Sequence, residues 1–301
     1  MTNTSENAET AEKAAKEALR VAIVGYGLGG KVFHTPLVRA TPGLRVAAIV
    51  TRSDEKKLQA NTDLPSADVI RSFDELIERA RDFDLAIITT PNKDHAPQAI
   101  AAMRAGMNVV VDKPVATNSA ECQEMIKVST ETGALLSVFQ NRRWDADFLT
   151  IKKLIDNGSL GQITRFESRM ERYRPVPKPN AWRESATGED GGGLLFDLGS
   201  HIIDQANFLF GKPESVYAEL DIRRPGIKSD DDVFVSLTYP GGIRAQFWTS
   251  LVSAAPGARF RVLGSLGTYE KQGVDPQEEA LRAGKIPIAG TGADENWGKE
   301  A

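Results

Sequence analysis

Arg20-Val21-Ala22-Ile23-Val24-Gly25-Tyr26-Gly27-Leu28-Gly29-Gly30 is the stretch on which the fold turns. A short apolar run rich in β-branched residues ends at Gly25, and a helix-compatible segment begins at Lys31. Gly25, Gly27 and Gly30 therefore form G-x-G-x-x-G between a strand and a helix. Glycine is needed there because the chain must turn tightly, admit a diphosphate without a Cβ in the way, and present unpaired N–H groups at a helix start. The same pattern also describes a glycine-rich turn with no ligand. Against that reading, strand-like runs recur at Leu44–Val50, Leu85–Thr90, Asn108–Val111 and Leu135–Phe139, with helical patterns between them. Such alternation predicts an α/β fold with a doubly wound parallel sheet of Rossmann type, whose ligands sit at the C-terminal strand ends.

The polar residues just past each run are accordingly the candidates. Leu44–Val50 is followed by Thr51-Arg52-Ser53, where an NAD site usually carries an acidic residue for the ribose hydroxyls; here no carboxylate comes before Asp54. An arginine between two hydroxyl residues suits a 2′-phosphate, so NADP is expected over NAD, with NAD as the alternative. The next run ends in Thr90-Pro91-Asn92, with His95 in the first turn of the following helix. Asn108–Val111 ends in Asp112-Lys113-Pro114, where proline stops the strand and holds Lys113 at its tip. A surface charge paired with Asp112 is the alternative reading of Lys113.

In the second half, glycines at Gly191–Gly193 and Gly211 bracket a predicted helix on which Asp197, His201 and Asp204 share one face. Histidine is the natural general base near neutral pH, and an Asp one turn away can orient it; the alternative is a core histidine satisfied by Asp204. His34, among apolar residues after the glycine loop, reads as structural. Gln162–Tyr173, Ser215–Arg223, Val233–Tyr239, Ile243–Leu251 and Ala258–Leu263 read as an antiparallel sheet with a hairpin at Pro240-Gly241-Gly242. A helix over about Asp145–Asn157 precedes it. Asp230-Asp231-Asp232 reads as a solvated strand entry, because it lacks calcium-loop spacing.

Length and composition set the limits. The 301 residues suggest two domains, and 37 Lys and Arg against 41 Asp and Glu give a net charge of −4, which argues against nucleic acid or an anionic membrane as partner. Cys122, the single cysteine, cannot form an internal disulfide, and no metal-ligand spacing occurs. No apolar run is long enough to span a bilayer, and Met1–Leu19 has no secretory pattern, so a cytoplasmic protein is expected. The predicted layout is a tail over 1–19, a dinucleotide-binding domain over 20–139 and a substrate and oligomerisation α+β domain over 140–301.

With these pieces in place the chain resembles the glucose-fructose oxidoreductase, inositol dehydrogenase and rhizopine catabolism (Gfo/Idh/MocA) family over about Arg20–Gly273. The resemblance rests on the glycine loop, Thr90-Pro91-Asn92, Asp112-Lys113-Pro114, Trp182-Arg183 and Asp197–His201. Lys31-Val32-Phe33-His34-Thr35-Pro36 and Gln140–Asp145 look most like the branch of NADP-dependent scyllo-inositol dehydrogenases. It implies a large, mostly antiparallel open sheet after the Rossmann domain, and hydride transfer between a nicotinamide cofactor and a secondary alcohol of a cyclic polyol or sugar. It further implies that Lys113, Asp197 and His201 converge on the substrate hydroxyl. Gly25, Tyr26, Gly27, Leu28, Gly30, Thr51, Arg52, Ser53, Thr90, Pro91, Asn92, His95, Asp112, Lys113, Trp182 and Arg183 are the positions expected at the cofactor. A homo-oligomer, dimer or tetramer, through the open sheet face is implied as well. A non-catalytic dinucleotide-sensing regulator and an NAD-dependent glycosidase are the rival readings. Relatives usually have Glu where Asp112 stands, and continue past this chain's end with a further helical segment.

Overall fold

The computed structural model describes residues 17–178 and 185–287, and the chain divides into two compact units. The first runs to Phe139 and takes in the chain again from Gln277; the second spans Gln140–Pro276. Helix Gln277–Arg282 thus belongs to the first unit, its Arg282 guanidinium 6.0 Å from the centre of the Phe33 ring. A helix of one and a half turns carries too little pattern for its partner to be read from sequence. Most of the tail expected over 1–19, and the chain beyond residue 287, lie outside the described residues.

In the first unit β1 (Leu19–Val24), β2 (Leu44–Val50), β3 (Asp68–Ile70), β4 (Leu85–Ile88), β5 (Asn108–Asp112) and β6 (Leu136–Phe139) form one sheet. Its order is β3-β2-β1-β4-β5-β6 with every pairing parallel, the doubly wound arrangement that reverses direction between β1 and β4. Successive side chains point to opposite faces. Ala22, Val24, Ala48, Val50, Ala86 and Ile88 pack into one core, and Val21, Ile23, Ile49 and Ile87 into another. Both faces are covered, which is why these strands are apolar throughout rather than alternating. Three helices of this unit, Asp54–Asp63, Phe73–Glu78 and Ser119–Thr132, begin after Ser53, Ser72 and Asn118. The side-chain oxygens of those three residues accept from the main-chain N–H of Lys56, Glu75 and Glu121. Strand β3, three residues long with Asp68 at its start, is too short to be legible in the sequence.

The second unit is built on β7 (Ile163–Glu171), β8 (Ser215–Asp221), β9 (Asp232–Thr238), β10 (Arg244–Ser250), β11 (Phe260–Gly264) and β12 (Thr268–Lys271), in the order β12-β11-β7-β10-β9-β8. Only β7 and β10 run parallel. Helices Ala146–Asp156 and Ser200–Phe210 cover one face, where Ile151, Ile202 and Ala206 join Phe166, Val235 and Phe247 in the core. On the other face Phe234 lies 5.1 Å from Trp248, and the Arg169 guanidinium stands 3.8 Å over the Trp248 ring. The short, polar β12 was also missed from sequence. No helix among the described residues is long and apolar enough to cross a membrane.

Candidate active site

Each glycine of the loop after β1 has its own reason to be glycine. Gly25 has φ +100°, and a Cβ there would come 2.7 Å from Thr89 Oγ1. Thr89, just past β4, donates its hydroxyl to the carbonyls of Val24 and Gly25 at 3.0 and 3.1 Å, tying the two strand tips together. A Cβ on Gly30 would lie 2.0 Å from the Gly25 carbonyl oxygen, so this glycine allows the following helix to pack on the strand. Gly29, which the motif leaves free, would carry a Cβ 2.7 Å from Asp112 Oδ2. Gly27 differs: only Lys56 Nζ, 3.7 Å away, comes near its Cβ position. The cradle is therefore closed where the protein needs contact and open at the second glycine, which fits the diphosphate of a dinucleotide.

Tyr26 contributes main chain. Its ring is buried and its hydroxyl donates to Asp63 at 3.0 Å; burial and that carboxylate push the phenol well above its ordinary pKa. Leu28 is exposed at the start of a wide π-helical turn, Leu28–His34, that precedes helix Thr35–Ala40. At the β2 tip Thr51 is buried, Arg52 is exposed, and Ser53 accepts from Lys56 N while its own O–H stays available to donate.

At the β4 tip Thr90 Oγ1 donates to Gln98, and Pro91 and Asn92 open helix Asn92–Arg104. His95 is buried against main chain: Nδ1 lies 2.7 Å from the Pro114 carbonyl and Nε2 2.8 Å from that of Thr90. It holds the tips of β4 and β5 together from behind. Asp112 Oδ1 accepts from Lys113 N at 2.8 Å, and the Lys113–Pro114 peptide is cis. His34 is buried against Phe139, and desolvation lowers its pKa, with Asp112 opposing from 3.9 Å. The glycine loop, Thr51–Ser53, Thr90–Asn92 and Asp112–Pro114 lie at or just past the C-terminal ends of strands in one sheet.

In the second unit the predicted glycine-bounded helix is two pieces, a π-helical turn Leu195–Gly199 and the α-helix Ser200–Phe210, closed by Gly211 at φ +82°. Asp197 sits in the wide turn and the buried His201 on the regular helix, so the even α-helical stripe read from the sequence is interrupted between them. Asp204 is taken by Arg143, whose Nε and Nη2 donate to its two oxygens at 2.7 and 2.6 Å. Asp232 does open a strand, β9, and is partly exposed, but Asp230 and Asp231 are not solvated. Asp230 Oδ2 accepts from Leu195 N at 2.7 Å, Asp231 is buried in an ion pair with Arg224, and Asp232 pairs with Arg223. Burial pushes the Asp230 carboxyl up, while the N–H groups of Leu194 and Leu195 oppose it. Local spacing could not show this, because the partners lie 7 to 35 residues away. Trp182 and Arg183 fall outside the described residues. Among the described residues no group of three or more His, Cys, Asp or Glu is placed to hold a metal ion.

Comparison with known proteins decides the family. Residues 19–140 match the oxidoreductase family model with an NAD-binding Rossmann fold, and residues 148–270 match the GFO/IDH/MocA C-terminal domain. The chain belongs to the GFO/IDH/MocA oxidoreductase family. It is 42% identical over 281 residues to the oxidoreductase YdgJ of Escherichia coli, covering 93% of this chain and 77% of that protein. It is 38% identical over 287 residues to IolW of Bacillus subtilis, named a scyllo-inositol 2-dehydrogenase (NADP(+)), covering 94% of this chain and 76% of that protein. Among solved structures, the oxidoreductase yvaA of Bacillus subtilis superposes with a TM-score of 0.84 at 38% identity, covering 92% of this chain and 77% of that one. As a GFO/IDH/MocA protein the chain is a dehydrogenase with a nicotinamide cofactor, and its first unit is the cofactor-binding half.

Proposed function

We propose that this chain is an NADP-dependent dehydrogenase that oxidises a secondary alcohol of a cyclic polyol or sugar, with scyllo-inositol the first substrate to test. The observation that carries the cofactor preference is the β2 tip. Arg52 is exposed there beside the Ser53 hydroxyl, and the first carboxylate, Asp54, is already engaged by Lys57 at 2.7 Å. A fork of N–H donors with no competing acid suits a 2′-phosphate and offers no carboxylate acceptor to the hydroxyls of a ribose diol. Similarity to IolW, named for scyllo-inositol and NADP(+), supports the substrate class.

In this reading His201 accepts the proton of the substrate hydroxyl as a hydride leaves the same carbon, so the alcohol becomes a ketone. Lys113 steadies the negative charge that develops on the oxygen, and Asp197 orients the histidine. The nicotinamide, when bound, supplies the hydride acceptor. The test is the appearance of reduced nicotinamide when the protein meets scyllo-inositol, myo-inositol or aldoses with NADP or NAD. Lys113→Ala and His201→Ala are each expected to lower kcat by about 10²–10⁴-fold while dinucleotide binding persists. Near-wild-type turnover in both variants overturns these roles. Dinucleotide binding with no turnover on any of these substrates points to a sensor of the same fold.

A further inference from the structure

His34 is a buried titratable group that the proposed chemistry does not use. It ends the π-helical turn Leu28–His34, which opens in the glycine loop, and its ring packs on Phe139 with centroids 4.1 Å apart. Phe139 is the register partner of Asp112 across β5 and β6, so the imidazole lies beside the strand pair whose tip carries Lys113. Its Nε2 is buried with no hydrogen-bond partner among the described residues, and Asp112 Oδ2 stands 3.9 Å from it. The same carboxylate is held on two other sides: Oδ1 accepts from Lys113 N at 2.8 Å, and Oδ2 lies 2.7 Å from the Cβ position of Gly29. One turn therefore comes against Asp112 twice, through a glycine at its start and a histidine at its end. A ring that only filled space beside Phe139 would be better as leucine, because a buried nitrogen without a partner keeps its desolvation cost and gains nothing. A neutral imidazole with its proton on Nε2 donates to a carboxylate at up to about 3.2 Å, so the pair stands roughly 0.7 Å short of a hydrogen bond. The loop in which the turn begins is the one that receives the dinucleotide diphosphate.

We infer that His34 is a positioning residue: with a dinucleotide in the glycine cradle its Nε2–H closes onto Asp112, and the carboxylate, through its bond to Lys113 N, sets the tip that presents Lys113. The inference rests on the Lys113 role proposed above and deepens it. A contact completed only in the bound state strengthens dinucleotide binding by the free energy of that contact, so seating the cofactor and fixing Lys113 are linked.

His34→Leu keeps apolar volume against Phe139 and removes the donor, His34→Gln returns an N–H at similar reach, and Asp112→Asn keeps an acceptor for Lys113 N while losing the carboxylate that faces His34. Equilibrium binding of NADP⁺ and NAD⁺ to the wild type, these three variants and the double variant His34→Leu/Asp112→Asn forms a cycle that needs no turnover. His34→Leu should weaken the tighter dinucleotide by about fivefold or more while the unliganded protein keeps its Tm. The double variant should bind no more weakly than the worse single one, and His34→Gln should come within about twofold of the wild type. In imidazole NMR spectra the Nε2–H resonance of His34, identified by its loss in His34→Leu, should shift and exchange more slowly once that dinucleotide is added. With an alcohol that the wild type oxidises, kcat should fall further than KM rises in His34→Leu and recover in His34→Gln. Losses that multiply in the double variant, an unshifted resonance, or equal behaviour of the leucine and glutamine variants assign the ring to packing alone and overturn the inference. Near-wild-type turnover in Lys113→Ala overturns the Lys113 role instead, and the binding cycle still decides whether His34 and Asp112 act together.

Discussion

Gly27 and Gly30 look equivalent in the motif and are not equivalent in space. A methyl on Gly30 would meet the Gly25 carbonyl oxygen at 2.0 Å, whereas one on Gly27 would meet only the movable end of Lys56. Gly30→Ala is therefore expected to cost about 1–3 kcal/mol of stability through overpacking, read as a fall in Tm. Gly27→Ala should keep the wild-type Tm and lose dinucleotide affinity, because the added carbon occupies ligand space. Equal Tm loss in both would show that the second glycine is there for packing. The motif's spacing revealed that glycines were needed. It said nothing of Thr89, 64 residues from Gly25, whose hydroxyl joins β1 to β4 and whose position leaves no room for a Cβ.

At the scale of elements, the helical segment bearing Asp197 and His201 is started by a distant carboxylate. Asp230 accepts from Leu195 N, its carbonyl accepts from Leu194 N, and it packs where a Cβ on Gly193, at φ +91°, would stand. Asp230→Ala leaves Leu195 N, at the start of the wide turn, uncapped while the main-chain bond from Leu194 N persists, and is expected to cost about 1 kcal/mol, measured by urea unfolding. Because the turn carries Asp197 into place, kcat should fall more than that stability loss explains, with Asp230→Asn recovering most of both. Unchanged kcat in a destabilised Asp230→Ala would separate the cap from the chemistry. The sequence showed a glycine-bounded helix with an acid and a histidine on it. The π-helical turn that interrupts their spacing was not legible, since it depends on where Leu195 is anchored.

Across the second unit, Arg142, Asp145, Asp147, Arg259 and Asp275 are buried together. Burial pushes the Asp145 carboxyl up to about 7; Arg142 opposes the shift, and Asp147 and Asp275 add to it. Burial likewise raises Asp147 and lowers Arg259 to about 10. With a folded pKa above the ordinary 3.8, Asp145 contributes stability that is full below about pH 4 and lost as pH rises through about 7. Asp145→Asn should flatten the dependence of Tm on pH between about 4 and 8 relative to the wild type, as followed by thermal melts. Parallel curves for the two proteins would mean that Asp145 titrates normally. The sequence by itself determined the parallel sheet, the glycine cradle, the β2 tip with Arg52 and the mostly antiparallel second half, though not the parallel pairing of β7 with β10, because apolar periodicity and turn residues act over a few neighbours. Only the tertiary structure decided that His95 braces two strand tips, that Asp204 belongs to Arg143, that Asp231 is buried on Arg224, and that Lys56 faces Gly27. Those choices depend on which side chains packing brings together across many residues of chain, and on which charges find a partner before solvent does.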